Sequence, residues 1–354
     1  MNNTPLFFVD KPVFGIDISQ TSVKVMQIDT ASKMHTVRGY GHINFDDRAI
    51  KQGVVVDPET IAKAVYTLFS KHLVGAIDTK RVISSVPSAS TFNRILSLPH
   101  MEKKDLDEAV RLEAEQYIPV PLEDLYLDYE IVKKDDNNIS VLMVGAPKKV
   151  IDSFMVLLDL LGLEVVGLQP SIDAVTKIIM HAEGTSVPTL IIDFGSYNSN
   201  MAIYDSTVSV AGSISSGGEN ISELISKSLN VTSRQAYTIK TRYGLDPSKR
   251  QKEIIGALSP YLKKLISEIK KIIRFYEERS VKGEKVGQVI TVGGGANLPG
   301  LSTYLTDQLR LPARRCDPWQ NLNFGTIQPP HPLETTLYTT AAGLSLAGPR
   351  GILS

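Results

Sequence analysis

The chain predicts an α/β fold of two similar lobes, and three features of the sequence carry that prediction. An apolar strand that ends in aspartate and runs into a small polar turn and a second strand occurs twice. The first copy is Phe14-Gly15-Ile16-Asp17-Ile18-Ser19 before Gln20-Thr21-Ser22-Val23-Lys24, and the second is Leu190-Ile191-Ile192-Asp193-Phe194-Gly195 before Ser196-Tyr197-Asn198-Ser199-Asn200. The third feature is a glycine turn, Gly293-Gly294-Gly295-Ala296, that follows the apolar run Gln288 to Val292.

Each element has a local reason. Val13 to Val25 alternates as two strands joined by a tight turn, and Tyr40 to Phe45 reads as a third strand. Ile61, Ala64, Val65 and Leu68 recur at helical spacing over Pro58 to Lys71, and Arg81 to Pro87 is a buried-strand run ended by proline. Between Thr91 and Leu168 the texture changes. A strand at Phe92 to Leu98 leads to a helix from about Glu102 to Tyr117, whose Leu106, Val110, Ala114 and Tyr117 share one face. Pro119 and Pro121 stop that helix, and strands at Leu125 to Val132 and Ile139 to Val144 form a hairpin across Lys134 to Asn138. A helix over Lys148 to Leu161 and a strand over Glu164 to Leu168 complete a βαββαβ order. Ala182 to Pro188 is a boundary loop, after which the second lobe carries a helical insertion at Gly218 to Leu229, Ser233 to Tyr243 and Pro260 to Arg279. The lysines of that last helix read as a solvated face.

Composition narrows the function. A chain of 354 residues with 42% hydrophobic content has material for more than one core. Lys+Arg and Asp+Glu are equal at 38 each, so no net field favours nucleic acid or an anionic membrane. Cys316 is the only cysteine, which excludes an internal disulfide and a cysteine-rich zinc site. The most apolar run, Phe154 to Leu168, is broken by Asp159, Gly162 and Glu164, and no signal segment opens the chain. The expectation is a soluble cytoplasmic protein. Its six histidines show no metal-ligand spacing.

The three turns share one chemistry. Small residues let backbone N–H groups approach phosphate oxygens, and a carboxylate at a strand end holds Mg²⁺ directly or through water. Asp17 and Asp193 are placed for that role. Phosphoryl transfer to water relies on positioning and charge neutralisation, so the lack of a nucleophile motif is no obstacle. Either hairpin alone is also an ordinary strand connection. Their order and spacing favour a nucleotide held between two halves.

On these residues the chain resembles the actin/sugar-kinase/chaperone superfamily, and within it the FtsA-like branch that contains the type IV pilus assembly family PilM. The segments that carry the resemblance are Gly15 to Ile18 with Ser22 to Val25, Leu112 to Glu123, the second hairpin, Gly217 to Ile221, Glu268 to Tyr276, Val292 to Leu301 and Ala341 to Ala347. The glutamate-rich helix ending in Tyr117-Ile118-Pro119-Val120-Pro121-Leu122 is the most specific of them.

The resemblance implies an actin-like ATPase fold with two lobes and an inserted βαββαβ module. Subdomain 1A would be residues 1–90, continued by about 169–187 and a C-terminal helix at 335–350. The insert, 1C, would be 91–168, subdomain 2A would be 188–217 with 287–334, and the helical subdomain 2B would be 218–286. It further implies ATP and Mg²⁺ between the lobes. Asp17 and Asp193 match the Mg²⁺-side carboxylates, and Ser19, Ser22, Lys24, Gly195 and Ser196 match the phosphate turns, with Gly15 opening the first. Gly217 and Gly218 match the ribose and phosphate turn, Lys240 the adenosine contact, and Gly294, Gly295 and Ala296 the adenine loop. Gln169 falls where the superfamily keeps a water-orienting residue. The implied partners are the N-terminal cytoplasmic peptide of PilN and other pilus assembly proteins, including the assembly ATPase. Membrane attachment would come through partners, and self-association is left open.

Three departures bear on turnover. Ser19 replaces a glycine, Tyr197-Asn198 replaces a Thr-rich turn, and Tyr237 stands where a ribose-binding Glu is expected, which removes an acceptor. The expectation is a nucleotide binder with slow or absent hydrolysis. Plainer readings stand beside the sharp ones: Lys24 solvated at a hairpin edge, Gln169 an ordinary helix-start residue, Lys240 exposed, and Tyr117, Tyr126 and Tyr129 in the core rather than at the rim of a peptide groove. Phe92 to Leu98 is the candidate strand for edge pairing with a peptide. The rival functions are a small-molecule kinase on the same fold, for which no convincing base is found, and an FtsA-like filament former. The latter type ends in a basic amphipathic helix, which Gly348 to Ser354 do not supply.

Overall fold

The computed structural model describes residues 11–31, 34–134, 137–280 and 283–347. The tail Gly348 to Ser354, the end of the expected C-terminal helix and Asp135-Asp136 of the hairpin loop lie outside them.

The first lobe starts with an antiparallel meander, β1 (Phe14–Ile18), β2 (Ser22–Asp29) and β3 (His35–Asn44). A small hairpin, β4 (Ile50–Lys51) and β5 (Val54–Val55), leads to α1 (Pro58–Lys71). Asp57 caps α1 by accepting from the Thr60 N–H, Pro58 fits its first turn, and Ile61, Val65 and Leu68 face the core. Then β6 (Val74–Gly75) pairs with β3, and β7 (Arg81–Val86) runs parallel to β1. Every residue of β1 is buried, as a central strand covered on both faces requires.

The insert follows: β8 (Phe92–Pro99), α2 (Lys103–Tyr117), β9 (Leu125–Lys134) and β10 (Asn138–Pro147). Its sheet has the order β8-β10-β9, and its core joins Leu96, Val141 and Met143 to Leu106, Val110 and Ala114 of α2. The chain then returns through α3 (Lys148–Leu160) and β11 (Glu164–Pro170). The expected βαββαβ module is corrected here to a βαββ unit. β11 pairs with β7 in the large sheet, and α3 buries Val150, Phe154, Leu157 and Leu158 among Phe14, Ile16, Val25 and Leu68. The tyrosine expectation is corrected as well. Tyr117 is exposed at the end of α2, Tyr126 is exposed on the sheet face that α2 does not cover, and Tyr129 is half-buried with its hydroxyl on Asp107.

After α4 (Ser171–Ala182) the second lobe repeats the plan. A meander of β12 (Thr189–Phe194), β13 (Ser199–Asp205) and β14 (Thr207–Ile214) precedes the helices α5 (Gly218–Leu229), α6 (Ser233–Arg242) and α7 (Gln251–Glu277). Then come β15 (Gln288–Val292), α8 (Leu301–Leu309) and β16 (Ala313–Arg315). The short β17 (Leu322–Asn323) joins the first sheet beside β3, and α9 (Thr339–Leu346) ends the described chain. α7 begins nine residues before the expected Pro260 start, so the proline sits inside it. Burial of Ile254, Ala257 and Leu258 ahead of Pro260 outweighs the roughly 3 kcal/mol that an interior proline costs.

The two sheets match strand for strand: β3-β2-β1-β7-β11 in one and β14-β13-β12-β15-β16 in the other, with the same parallel and antiparallel pairings. The closing helices cross between them. α4 packs Ile172, Val175 and Ile179 on the second sheet, and α9 packs Ala341 and Ala342 against Met26 and Tyr40 of the first. Where they cross, a Cβ on Gly343 would stand 1.7 Å from the Ala174 carbonyl oxygen, so only glycine permits that approach.

Candidate functional site

The repeat brings the two aspartate hairpins to the same end of their sheets, facing across a cleft of about 590 Å³, a size suited to a small ligand. In the first hairpin, Asp17 and Lys24 are register partners on β1 and β2, and Lys24 Nζ donates to Asp17 Oδ2 at 3.1 Å. Lys24 also donates to Ser19 Oγ at 2.8 Å, and Ser85 at the end of β7 donates to Asp17 Oδ1 at 2.7 Å. Lys24 is therefore buried among acceptors and is not a solvated hairpin edge.

In the second hairpin, Asp193 stands at the equivalent position and its register partner is Asn200. Enclosure by protein atoms, and next the Asp17 charge, push the Asp193 carboxyl up to about 6, with Lys24 and Asn200 opposing. Gly293 (φ +80°) makes room for it, since a Cβ there would come within 2.4 Å of Asp193 Oδ1. The turn itself is closed by backbone bonds: Gly195 N–H to the Asn198 carbonyl, Gly218 N–H to the Gly195 carbonyl and Glu219 N–H to the Ser196 carbonyl. These last two tie the start of α5 to the hairpin. Lys240 reaches from α6 to the Gly218 carbonyl at 3.0 Å and lies over the Tyr237 ring, and its burial lowers its pKa, with Glu219 opposing.

Side chains also meet across the cleft. Thr21 and Ser196 hydroxyls are 3.2 Å apart, and the Tyr197 hydroxyl donates to Asp47 Oδ2 at 2.5 Å. That bond, more than burial, pushes the Tyr197 phenol up to about 12. Thr336, ahead of α9, donates to the Gly293 carbonyl at 2.9 Å.

Asp17, Ser19, Ser22, Lys24, Asp193, Gly195, Ser196, Gly218, Lys240, Gly294 and Gly295 all line the cleft. Gly217 sits just behind it, packed on the Gly195 and Ser196 carbonyls. Two expected members do not line it. Gly15 lies under α9, where a Cβ would stand 2.1 Å from the Ala341 carbonyl oxygen, and Ala296 is buried in the second-lobe core. Gln169 also lies elsewhere: it lines a second cleft and accepts from Lys177 at 3.4 Å. Ser85 and Thr336 were not legible as site residues, because segments distant in sequence deliver them, whereas Gln20 lies in the first hairpin turn beside Ser19 and was passed over.

Oxygen donors from Asp17 and Asp193 suit Mg²⁺, which keeps waters and phosphate oxygens in most of its sphere. Of the two carboxylates, Asp17 already pairs with Lys24 at 3.1 Å, and Asp193 has no ion pair at this distance among the described residues. Among the described residues no cluster of three His, Cys, Asp or Glu forms a metal cage.

The second cleft, about 1560 Å³, lies between the insert, the β11–α4 junction and the β13–β14 turn. Leu142, Val144 and Ala146 of β10 form an apolar wall, with Tyr126, Asp128 and Glu130 of β9 beside it. β9 is one edge of the insert sheet; β8, the edge singled out from sequence, has β14 of the second lobe running beside it.

The family model described as type IV pilus assembly protein PilM matches residues 15–348. The chain belongs to the PilM family. A solved PilM-PilN type IV pilus biogenesis complex contains a chain that superposes with a TM-score of 0.83 at 21% identity, over 97% of this chain and 99% of that one. MreB5 of Spiroplasma citri bound to AMPPNP gives a TM-score of 0.56 at 12% identity, over 96% of each chain. Cell division protein FtsA of Enterococcus hirae is 24% identical over 328 residues, 81% of this chain and 74% of FtsA. The PilM-family chain thus has the actin-like fold of these relatives. Among its described residues no helix is long and apolar enough to cross a membrane.

Proposed function

We propose that this PilM-family protein is a cytoplasmic, ATP-binding scaffold of type IV pilus assembly that holds the N-terminal cytoplasmic peptide of PilN. The observation that carries the nucleotide half is the pair of facing hairpins with Asp17, Lys24 and Asp193 in one cleft. The hairpin N–H groups and Lys24 would hold the ATP phosphates. Asp17 and Asp193 would hold Mg²⁺, which would supply positive charge to the phosphates. Lys240 and the Gly294-Gly295 turn hold the nucleoside end.

Hydrolysis is slow in this reading. Gln169 stands outside the cleft, so nothing assigned here orients a water, and Tyr237 replaces an acceptor for the ribose. The second cleft receives the PilN peptide in extended form against the β9–β10 wall, and PilN anchors the protein at the inner membrane. Contacts with the assembly ATPase and other pilus proteins belong to the same reading.

Isothermal titration of the full chain with a synthetic PilN N-terminal peptide, with and without Mg-ATP, tests it. Saturable one-to-one binding is expected, and a shift with Mg-ATP measures coupling of the two clefts. No peptide binding, together with ATP consumption stimulated by a small polyol, overturns the scaffold in favour of a kinase.

A further inference from the structure

The second cleft contains an acceptor that the fold leaves without a partner. Asp173 sits in the first turn of α4, and its Oδ1 is shielded from water with no hydrogen-bond donor among the described residues. Buried polar atoms in folded proteins are paired, so an orphan that lines a large cleft marks the place of a missing donor.

The surroundings specify that donor. The charged groups acting on Asp173 are Lys177 on its own helix and Glu130 of β9. Enclosure chiefly, then Glu130, hold the carboxyl up at about 7 against the opposing Lys177. Gln169 on β11, Tyr204 on β13 and the stacked rings of His35 and His181 also line the cleft; burial holds the Tyr204 phenol above its ordinary value, and burial, then the His181 charge, holds His35 below its own. Lys177 Nζ turns to Gln169 rather than to Asp173. A cationic donor would face Lys177, whereas a neutral one would not. The adjoining wall of Leu142, Val144 and Ala146 accepts apolar side chains of an extended chain, whose backbone presents amide N–H groups.

We infer that Asp173 accepts a backbone amide N–H of the bound peptide and thereby sets its register in the cleft. This rests on the peptide-binding reading above. An N–H donor favours the ionised carboxyl, so peptide affinity rises with pH through neutrality.

The test is titration of the full chain with the PilN N-terminal peptide at pH 6 and pH 8. Wild type binds roughly fivefold to tenfold more tightly at pH 8. Asp173→Leu binds at least about tenfold more weakly at pH 8 and loses the pH step, while its melting temperature rises because the orphan acceptor is gone. Asp173→Asn retains an acceptor, keeps most of the affinity and loses the pH step. If Asp173→Leu proves unfolded, persistence of the step in Asp173→Asn overturns the inference. Wild-type binding that Asp173→Leu matches overturns this inference alone; failure of wild type to bind overturns the peptide reading and this inference with it. N-methylation of successive peptide amides identifies the donor, as the position whose methylation weakens wild type but not Asp173→Leu. A coupling that follows a peptide lysine or arginine instead overturns the amide assignment.

Discussion

Lys24 donates to Asp17 at 3.1 Å across the first hairpin, and at the same register position of the second hairpin Asn200 stands opposite Asp193. The repeat is thus symmetric in backbone and asymmetric in charge. One aspartate is neutralised by the fold, and the other is left for a cation.

Asp193 makes the nucleotide-free protein less stable as pH rises. Its carboxyl titrates at about 6 when folded against an ordinary 3.8, so the folded state binds the proton more tightly. Stability is highest below about pH 4 on this group's account and falls as pH rises through 6. Asp193→Asn removes that loss. Thermal unfolding at pH 5 and pH 8 should show the variant gaining on wild type at the higher pH, by on the order of 1 kcal/mol. The same variant should lose Mg-nucleotide affinity.

Lys24→Met strands Asp17 beside Asp193 with no cation between them. Both Lys24 and Asp17 are buried, and breaking a buried pair costs about 3–5 kcal/mol. Urea titration should record a loss of that order at pH 8, largely relieved in Lys24→Met/Asp17→Asn.

Gly343→Ala places a methyl group against the Ala174 backbone where α4 and α9 cross. Neither backbone yields cheaply, so destabilisation of about 3 kcal/mol or more is expected in chemical unfolding. A change below about 1 kcal/mol would show that the helices slide apart freely.

Tyr197→Phe removes the bond to Asp47 that spans the cleft. The stability change should stay near 1 kcal/mol. Amide exchange of the 195–200 turn should quicken in the nucleotide-free protein, because the bond joins lobes rather than filling a core.

Two excisions separate the insert from the first lobe. Replacing 91–147 with a short linker leaves β11 and α3 in place, and the protein should fold and bind nucleotide while losing the PilN peptide. Replacing 91–168 removes Phe154, Leu157 and Leu158 from the first core, and circular dichroism should show it unfolded.

What the sequence determined by itself is whatever short-range chemistry encodes. The alternation into Asp17 and Asp193, the small turns after them and the helical spacing of Ile61, Val65 and Leu68 all depend on residues a few positions apart, and such local patterns placed both hairpins and six of the nine described α-helices, α1, α2, α3, α5, α6 and α7. Tertiary structure alone decided the rest. Gly15 serves α9 rather than a phosphate, Gln169 opens on the second cleft, Ala296 is core, and Tyr117 and Tyr126 face outward. β11 reads like one more strand of the insert, yet its hydrogen bonds go to β7, about eighty residues earlier. The physical reason is common to all of these: strand partner, buried face and cleft are properties of what comes to lie alongside a residue, and pairing across that much chain leaves no local mark.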